Sequence, residues 1–220
     1  MSENTNKKIN FDIISSGSSG NCVILNESIA LDMGVPFKKI EPYLNKIKLI
    51  FISHEHQDHL KMSTLIKIHK LRPTIRFAVG FWLKDKLVEY GINQSNIDVL
   101  RHNMTYDYKL FKICPFILIH DVFNYGLKLF INNKKILYAV DTNSIEHVKA
   151  ENYDLYLIEA NYDETKLQEN INFDKENGFF SYGDRVKSTH LSLQQSSKFL
   201  LENMGDNSEY KFLHCSKRNF

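Results

Sequence analysis

Apolar residues in this chain come in short runs, each bounded by turn-forming positions. INFDII, CVIL, SIAL and LIFI, all within the first 52 residues, are predicted strands. SSGSSGN at residues 15–21 separates the first two and carries two glycines able to take positive φ. Pro36 opens a predicted helix running to about residue 44, because proline suits a first helical turn. A second helix is predicted over 63–71, stopping before Pro73. FWLKDKLVEY is read as a helix presenting Phe81, Leu83, Leu87 and Val88 on one broad face, with Gly91 as its stop. Strands then return as FKICPFILIH, YGLKLFI and KKILYAV, with Asn132 and Asn133 placed for a tight hairpin. LYLIEA at 155–160 is a further strand, 192–204 an amphipathic helix, and YKFLHC a closing strand. Two halves, each mostly β followed by helix, predict an α/β fold: a four-layer αβ/βα sandwich, with two sheets face to face and helices outside.

A chain of 220 residues with 43% hydrophobic residues has material for one sizeable core, so one domain spanning 1–220 is expected. The formal net charge of +2 makes no electrostatic case for a broad nucleic-acid footprint. Three cysteines, Cys22, Cys114 and Cys215, form no CxxC pair and suit a reducing compartment. The polar start MSENTNKKIN has no apolar export signal, and no run approaches the roughly 18 apolar residues of a membrane span. A cytoplasmic protein without membrane attachment is expected, which counts against an exported, antibiotic-degrading role.

SHEHQDHL, residues 53–60, packs three imidazoles and two carboxylates directly behind the strand LIFI. Such crowding is costly unless a cation sits among the groups. His54 and His56, two apart on a loop after a strand, can converge on one ion, and Asp58 and His59 can point to a second. Neutral imidazoles with a carboxylate suit zinc; manganese and iron share these donors. Further ligand types stand at the ends of apolar strands: His120 after FILI, Asp141 after ILYAV and His214 after KFL. Strands of one sheet deliver such residues to one edge. Asp32, after SIAL, is a candidate to orient a ligand from behind.

HEHQDH, the preceding Leu31-Asp32, His120, Val140 to Thr142 and the late histidine together resemble the five motifs of the metallo-β-lactamase fold superfamily, in the right order. The resemblance covers nearly the whole chain. It implies two Zn2+ at the sheet edges, one held by His54, His56 and His120, the other by Asp58, His59 and His214, with Asp141 bridging. LIEAN, with Glu159, and THLSLQQSSKFL, with His190, resemble the motifs of ribonuclease Z and its relatives. That likeness implies a proton relay of Glu159 and His190, with Asp58 also counted among the catalytic groups. The loop SSGSSGN is similar to the first loop of small single-domain bacterial and phage hydrolases of this fold. It reads equally as a plain hairpin turn or as an anion-binding nest. Cys215 departs from the residue usual after the metal histidine, and no segment resembles the tRNA-gripping arm of ribonuclease Z, so tRNA 3′ processing is not expected.

The resemblance implies hydrolysis of a nucleotide phosphodiester. The near-neutral charge leans toward a cyclic nucleotide, as destroyed by phage enzymes of this fold that act on defence signals. A DNA or RNA exonuclease is the alternative, and a thioesterase or glyoxalase II-like hydrolase the second. Phe123, Tyr125, Tyr162 and Tyr182 lie near motif loops and are candidates to stack a base. Relatives of this kind are often dimers, so a homodimer is an expected assembly.

Overall fold

The computed structural model describes residues 9–220; residues 1–8, which contain most of the polar start, lie outside the described residues. Six strands form the first sheet in chain order: β1 (Phe11–Ser15), β2 (Cys22–Leu25), β3 (Ile29–Leu31), β4 (Leu49–Ile52), β5 (Arg76–Gly80) and β6 (Ile97–Leu100). β1 to β3 run antiparallel and β3 to β6 parallel. The second sheet has the order β12-β11-β10-β9-β8-β7, built from β7 (Tyr106–Asp107), β8 (Phe111–Leu118), β9 (Asn124–Ile131), β10 (Lys134–Ala139), β11 (Leu155–Glu159) and β12 (Glu209–Leu213). Here β10, β11 and β12 are parallel and the rest antiparallel.

The parity of side chains builds the layers. In β4, Leu49 and Phe51 face the second sheet, where they meet Tyr138 and Leu157, while Ile50 and Ile52 face helices. Both faces are buried, which is why LIFI reads as a continuous apolar run rather than an alternating one. Helices α1 (Phe37–Ile40), α2 (Met62–Leu71) and α3 (Phe81–Glu89) cover the first sheet through Ile40, Leu65, Ile68, Leu83 and Leu87. The second sheet turns Leu137, Tyr156 and Ile158 outward against Phe199 and Leu200 of α6 (Leu193–Asn203). The fold is the expected four-layer α/β sandwich. No helix among the described residues is long and apolar enough to cross a membrane.

Two local expectations are corrected. The helix after Pro36 ends at Ile40 and continues as a 3-10 turn over Glu41–Tyr43, because Pro42 has no N–H to extend the α-helical ladder. In α3 only Leu83 and Leu87 are buried; Phe81 and Val88 are exposed. At about 100° per residue, positions 81 and 88 point together, on the side away from 83 and 87, so the four never share one face. Short or polar elements carried no clear pattern in advance: β5, β6, α4 (Glu164–Glu176) and α5 (Gly183–Thr189). The asparagine hairpin holds, with φ of +51° at Asn132 and +60° at Asn133, as a tight turn of the primed kind requires.

Candidate metal centre

Strand ends from both sheets deliver the polar groups to one edge. Asp32 follows β3, His54 to His59 follow β4, His120 follows β8, Asp141 follows β10 and His214 follows β12. Asp32, Asp141 and His214 all adopt left-handed backbone, with φ of +60°, +55° and +54°. That region is disfavoured for residues other than glycine, and such strain persists where the surroundings over-determine it.

One group of side chains comprises His54, His56, His120 and Asp141, another Asp58, His59, Asp141 and His214; ligand atoms within each group lie within 4.8 Å of one another. Asp141 Oδ2 belongs to both, 3.4 Å from His54 Nε2, 3.9 Å from His120 Nε2 and 3.1 Å from His59 Nε2. His214 Nε2 lies 3.3 Å from Asp58 Oδ2. His54 Nε2 and Asp141 Oδ1 are buried with no hydrogen-bond partner. Buried polar atoms are ordinarily paired, so these two orphans fit a donor set that a cation completes.

The imidazoles are turned to offer lone pairs to the cluster. His59 Nδ1–H donates to Asp32 Oδ2 at 2.7 Å, and His120 Nδ1–H to the Thr189 carbonyl at 3.0 Å. Ser53 Oγ donates to Asp32 and accepts from His54 Nδ1–H at 2.9 Å. In each case the other ring nitrogen is left facing inward. Asp32, fully buried, also accepts from the Ser53 amide and from the Tyr138 hydroxyl at 2.6 Å.

Electrostatics follow from burial beside carboxylates. Burial pushes the His54 imidazole down to about 4, aided by His59, and lowers His120 as well. At His59 burial opposes charge, but the Asp141 and Asp32 carboxylates prevail and hold the imidazole up at about 10. His214 is likewise raised, against burial, by Asp141, Asp58 and Glu159. Asp141 stays well below the usual carboxylate range because His214 and His59 outweigh its burial. Buried Asp32, Asp141 and Glu159 thus call for positive charge, which protons or cations can supply.

Glu159, fully buried at the end of β11, accepts His190 Nδ1–H at 2.6 Å and the Thr142 and Leu191 amides on its other oxygen. The His190 ring lies 18° from parallel to His214, with centroids 5.2 Å apart. Against the desolvation of its site, Glu159 raises the His190 imidazole above its ordinary value. Glu159, His190, His214 and Asp141 form a third close group.

Several contributors carried no sequence signal of their own. Asn21 Nδ2–H donates to the Asp58 carbonyl at 3.2 Å and stands 2.8 Å from His59 Nε2, so the glycine-rich loop packs directly against the centre. Within that loop the Gly17 amide binds Asn21 Oδ1 and the Gly20 amide binds the Gly17 carbonyl. These bonds are those of a turn, and they occupy amides an anion nest would need. Asp121 Oδ1 stands 3.4 Å from His56 Nε2 and 3.2 Å from His120 Nε2, tethered by Arg185 on α5. Of the aromatic candidates, Tyr125 and Tyr162 are buried, while Phe123 and Tyr182 are exposed. His69, His102 and His147 join none of the three groups.

A sandwich whose two sheets carry their polar strand ends to a common edge places the molecule among the metal-dependent hydrolases of the metallo-β-lactamase fold. The chain belongs to the beta-lactamase superfamily domain family, whose model matches residues 28–206. It is similar to the exodeoxyribonuclease WalJ of Streptococcus pneumoniae, 25% identical over 240 aligned residues that cover 95% of this chain and 82% of the relative. Among solved structures it is similar to the metallo-beta-lactamase fold protein YhfI from Bacillus subtilis, with TM-score 0.75, 13% identity and coverage of 96% and 87% of the two chains. The short form of human tRNase Z superposes with TM-score 0.66 at 16% identity, over 94% and 93%. At such identities the two structures speak for the fold alone.

Proposed function

We propose that the protein hydrolyses a phosphodiester bond in a nucleotide substrate. Two zinc ions are assigned to His54, His56, His120 and Asp141 and to Asp58, His59, His214 and the same Asp141. Divalent ions in such a pair supply Lewis acidity toward phosphoryl oxygens and lower the pKa of water to about 7. His190, with Nδ1–H engaged by Glu159, has Nε2 available to give a proton to a leaving oxygen, and Glu159 fixes the tautomer and favours the charged ring. Asp58 and Asp141 would hold the cations, and they stand beside His214 and His59, at 3.3 and 3.1 Å.

The Glu159–His190 pair is the observation that carries this reading. A departing thiol has a pKa of about 8.5 and leaves without help, whereas an alkoxide needs a proton donor, so a built acid beside the cluster favours a phosphodiester over a thioester. The name of the relative WalJ supports a polynucleotide substrate, and the near-neutral charge supports a cyclic nucleotide; both share this chemistry. Zinc-loaded protein is expected to turn over bis-p-nitrophenyl phosphate in a chelator-sensitive way. Turnover of S-lactoylglutathione in preference to every diester would overturn the assignment.

A further inference from the structure

Four large apolar side chains, Phe81, Ile117, Ile119 and Phe123, are 60, 48, 47 and 65% exposed, and all border one cavity. Large apolar groups exposed together mark a binding surface. The cavity holds about 740 Å³, and His120 and Asp121 form part of its wall, so it is continuous with the candidate metal centre. Its aromatic side is built, not incidental. Phe123 stacks on Trp82 at 5.3 Å and 27°, Phe81 lies 5.5 Å from Phe123, and buried Tyr125 supports Trp82 from 4.7 Å. Gly80 makes room for the indole, since a Cβ there would fall 2.2 Å from it.

A second cavity of about 410 Å³ adjoins the first, sharing His102 and Ile117, and adds Lys128, His147 and Lys149. Among the described residues neither lysine forms an ion pair; Lys128 lies 5.7 Å over the Phe116 ring and Lys149 is exposed. The carboxylates on the first wall, by contrast, are already paired, Glu55 with Lys86 at 2.9 Å and Asp121 with Arg185 at 3.3 Å. From the metal centre outward the order is therefore aromatic shelf, then unpaired positive charge.

We infer that the two cavities form one track for a single-stranded polynucleotide. A base next to the scissile phosphate stacks on Phe123 and Phe81, and the following phosphates pass His102 to reach Lys128 and Lys149. Aromatic shelves with flanking positive charge are how proteins hold single strands without reading sequence. A cyclic mononucleotide would end at the shelf and leave both lysines unused. The inference rests on the phosphodiesterase reading of the site, and its test separates the two.

The probe is a fluorescein-labelled 12-nucleotide oligothymidylate or oligouridylate, followed by anisotropy with the zinc-loaded full chain carrying His190→Ala to slow cleavage. Phe123→Ala is expected to weaken binding fivefold or more, the order that loss of one stacked base produces. Lys128→Ala with Lys149→Ala is expected to flatten the dependence of log K on log salt by roughly 0.7 per lysine. Phe123→Leu, which keeps the bulk, gives the same loss if the aromatic face matters. Unchanged affinity and salt slope in these variants, with melting temperatures retained, overturn the track, as does an absence of oligonucleotide binding beside normal turnover of bis-p-nitrophenyl phosphate. Intact, variant-sensitive binding with no turnover of any diester by the zinc-loaded parent protein, in which His190 is kept, retains the track and removes the phosphodiesterase reading.

Discussion

Asp32 shows how much one side chain beneath the candidate metal ligands can organise. It accepts from the Ser53 amide and hydroxyl, His59 and Tyr138, and thereby sets the rings of His54 and His59. Tyr138→Phe removes one of these donors at almost no change of shape. It should cost about 1.5–3 kcal/mol in urea unfolding, the range for a hydrogen bond to a charged group. Zinc affinity, titrated against a competing chelator, should fall by about tenfold or more; unchanged affinity would remove Asp32 from the support of the ligands. His190 makes a sharper forecast. Its replacement by alanine should lower kcat by about 10²–10⁴ on an unactivated dinucleotide. The loss on bis-p-nitrophenyl phosphate, whose leaving group is a weak base, should be much smaller. Equal losses on both substrates would mean that His190 donates no proton.

At the level of elements, the outward turn of Phe81 and Val88 on α3 has consequences for stability. Leu87→Ala, which empties a fully buried position, should cost about 2–5 kcal/mol, whereas Val88→Ala should stay within about 0.5 kcal/mol. Comparable urea midpoints for the two variants would refute the assignment of faces. Asp154 ties three strands of the second sheet at one corner. Its carboxylate accepts Lys134 Nζ and the Lys135 amide at the start of β10, and its carbonyl accepts the Glu209 amide of β12. Burial raises the Asp154 carboxyl, but those two donors outweigh it and hold the group below its ordinary value. A carboxylate with a depressed folded-state value stabilises above its unfolded pKa of about 3.9, and that contribution is lost as pH falls through the folded value. Asp154→Asn should therefore lower the urea midpoint at pH 7, and the gap to the parent protein should close only as the pH falls below the unfolded value of about 3.9 and through the depressed folded one. A pH-independent gap would contradict the assignment.

For the molecule as a whole, the centre is where two sheets meet, so cations there should couple the halves. Asp141 comes from the second sheet and His54 and His59 from the loop after β4 of the first, all buried. A cation that binds only the folded chain stabilises it by about 4 kcal/mol at a thousandfold excess over Kd. Zinc should raise the melting temperature in calorimetry, and a chelator should reverse the gain. A melting curve indifferent to both would show that the edge holds no ion.

Much of this was legible in order and spacing. SHEHQDHL after LIFI, the strand-end positions of His120, Asp141 and His214, and the parity of each apolar run are local properties, set by strand geometry and by where polar groups can be tolerated. The four-layer sandwich follows from them, because strands buried on both faces need a layer on each side. Other features depend on residues far apart in the chain. Nothing local links Asp32 to Tyr138, 106 positions later, or Asp121 to Arg185, and Phe123 gains meaning only beside Trp82. Face assignment in α3 also waited on packing, since a helix with apolar residues on two sides can bury either. Candidate ligand types were thus written in the chain, and the family resemblance already pointed to a shared Asp141, whereas the orientation of these side chains and the cavity beside them arose where the two sheets close on each other. That is a tertiary event, and only there do residues distant in the chain come within bonding distance.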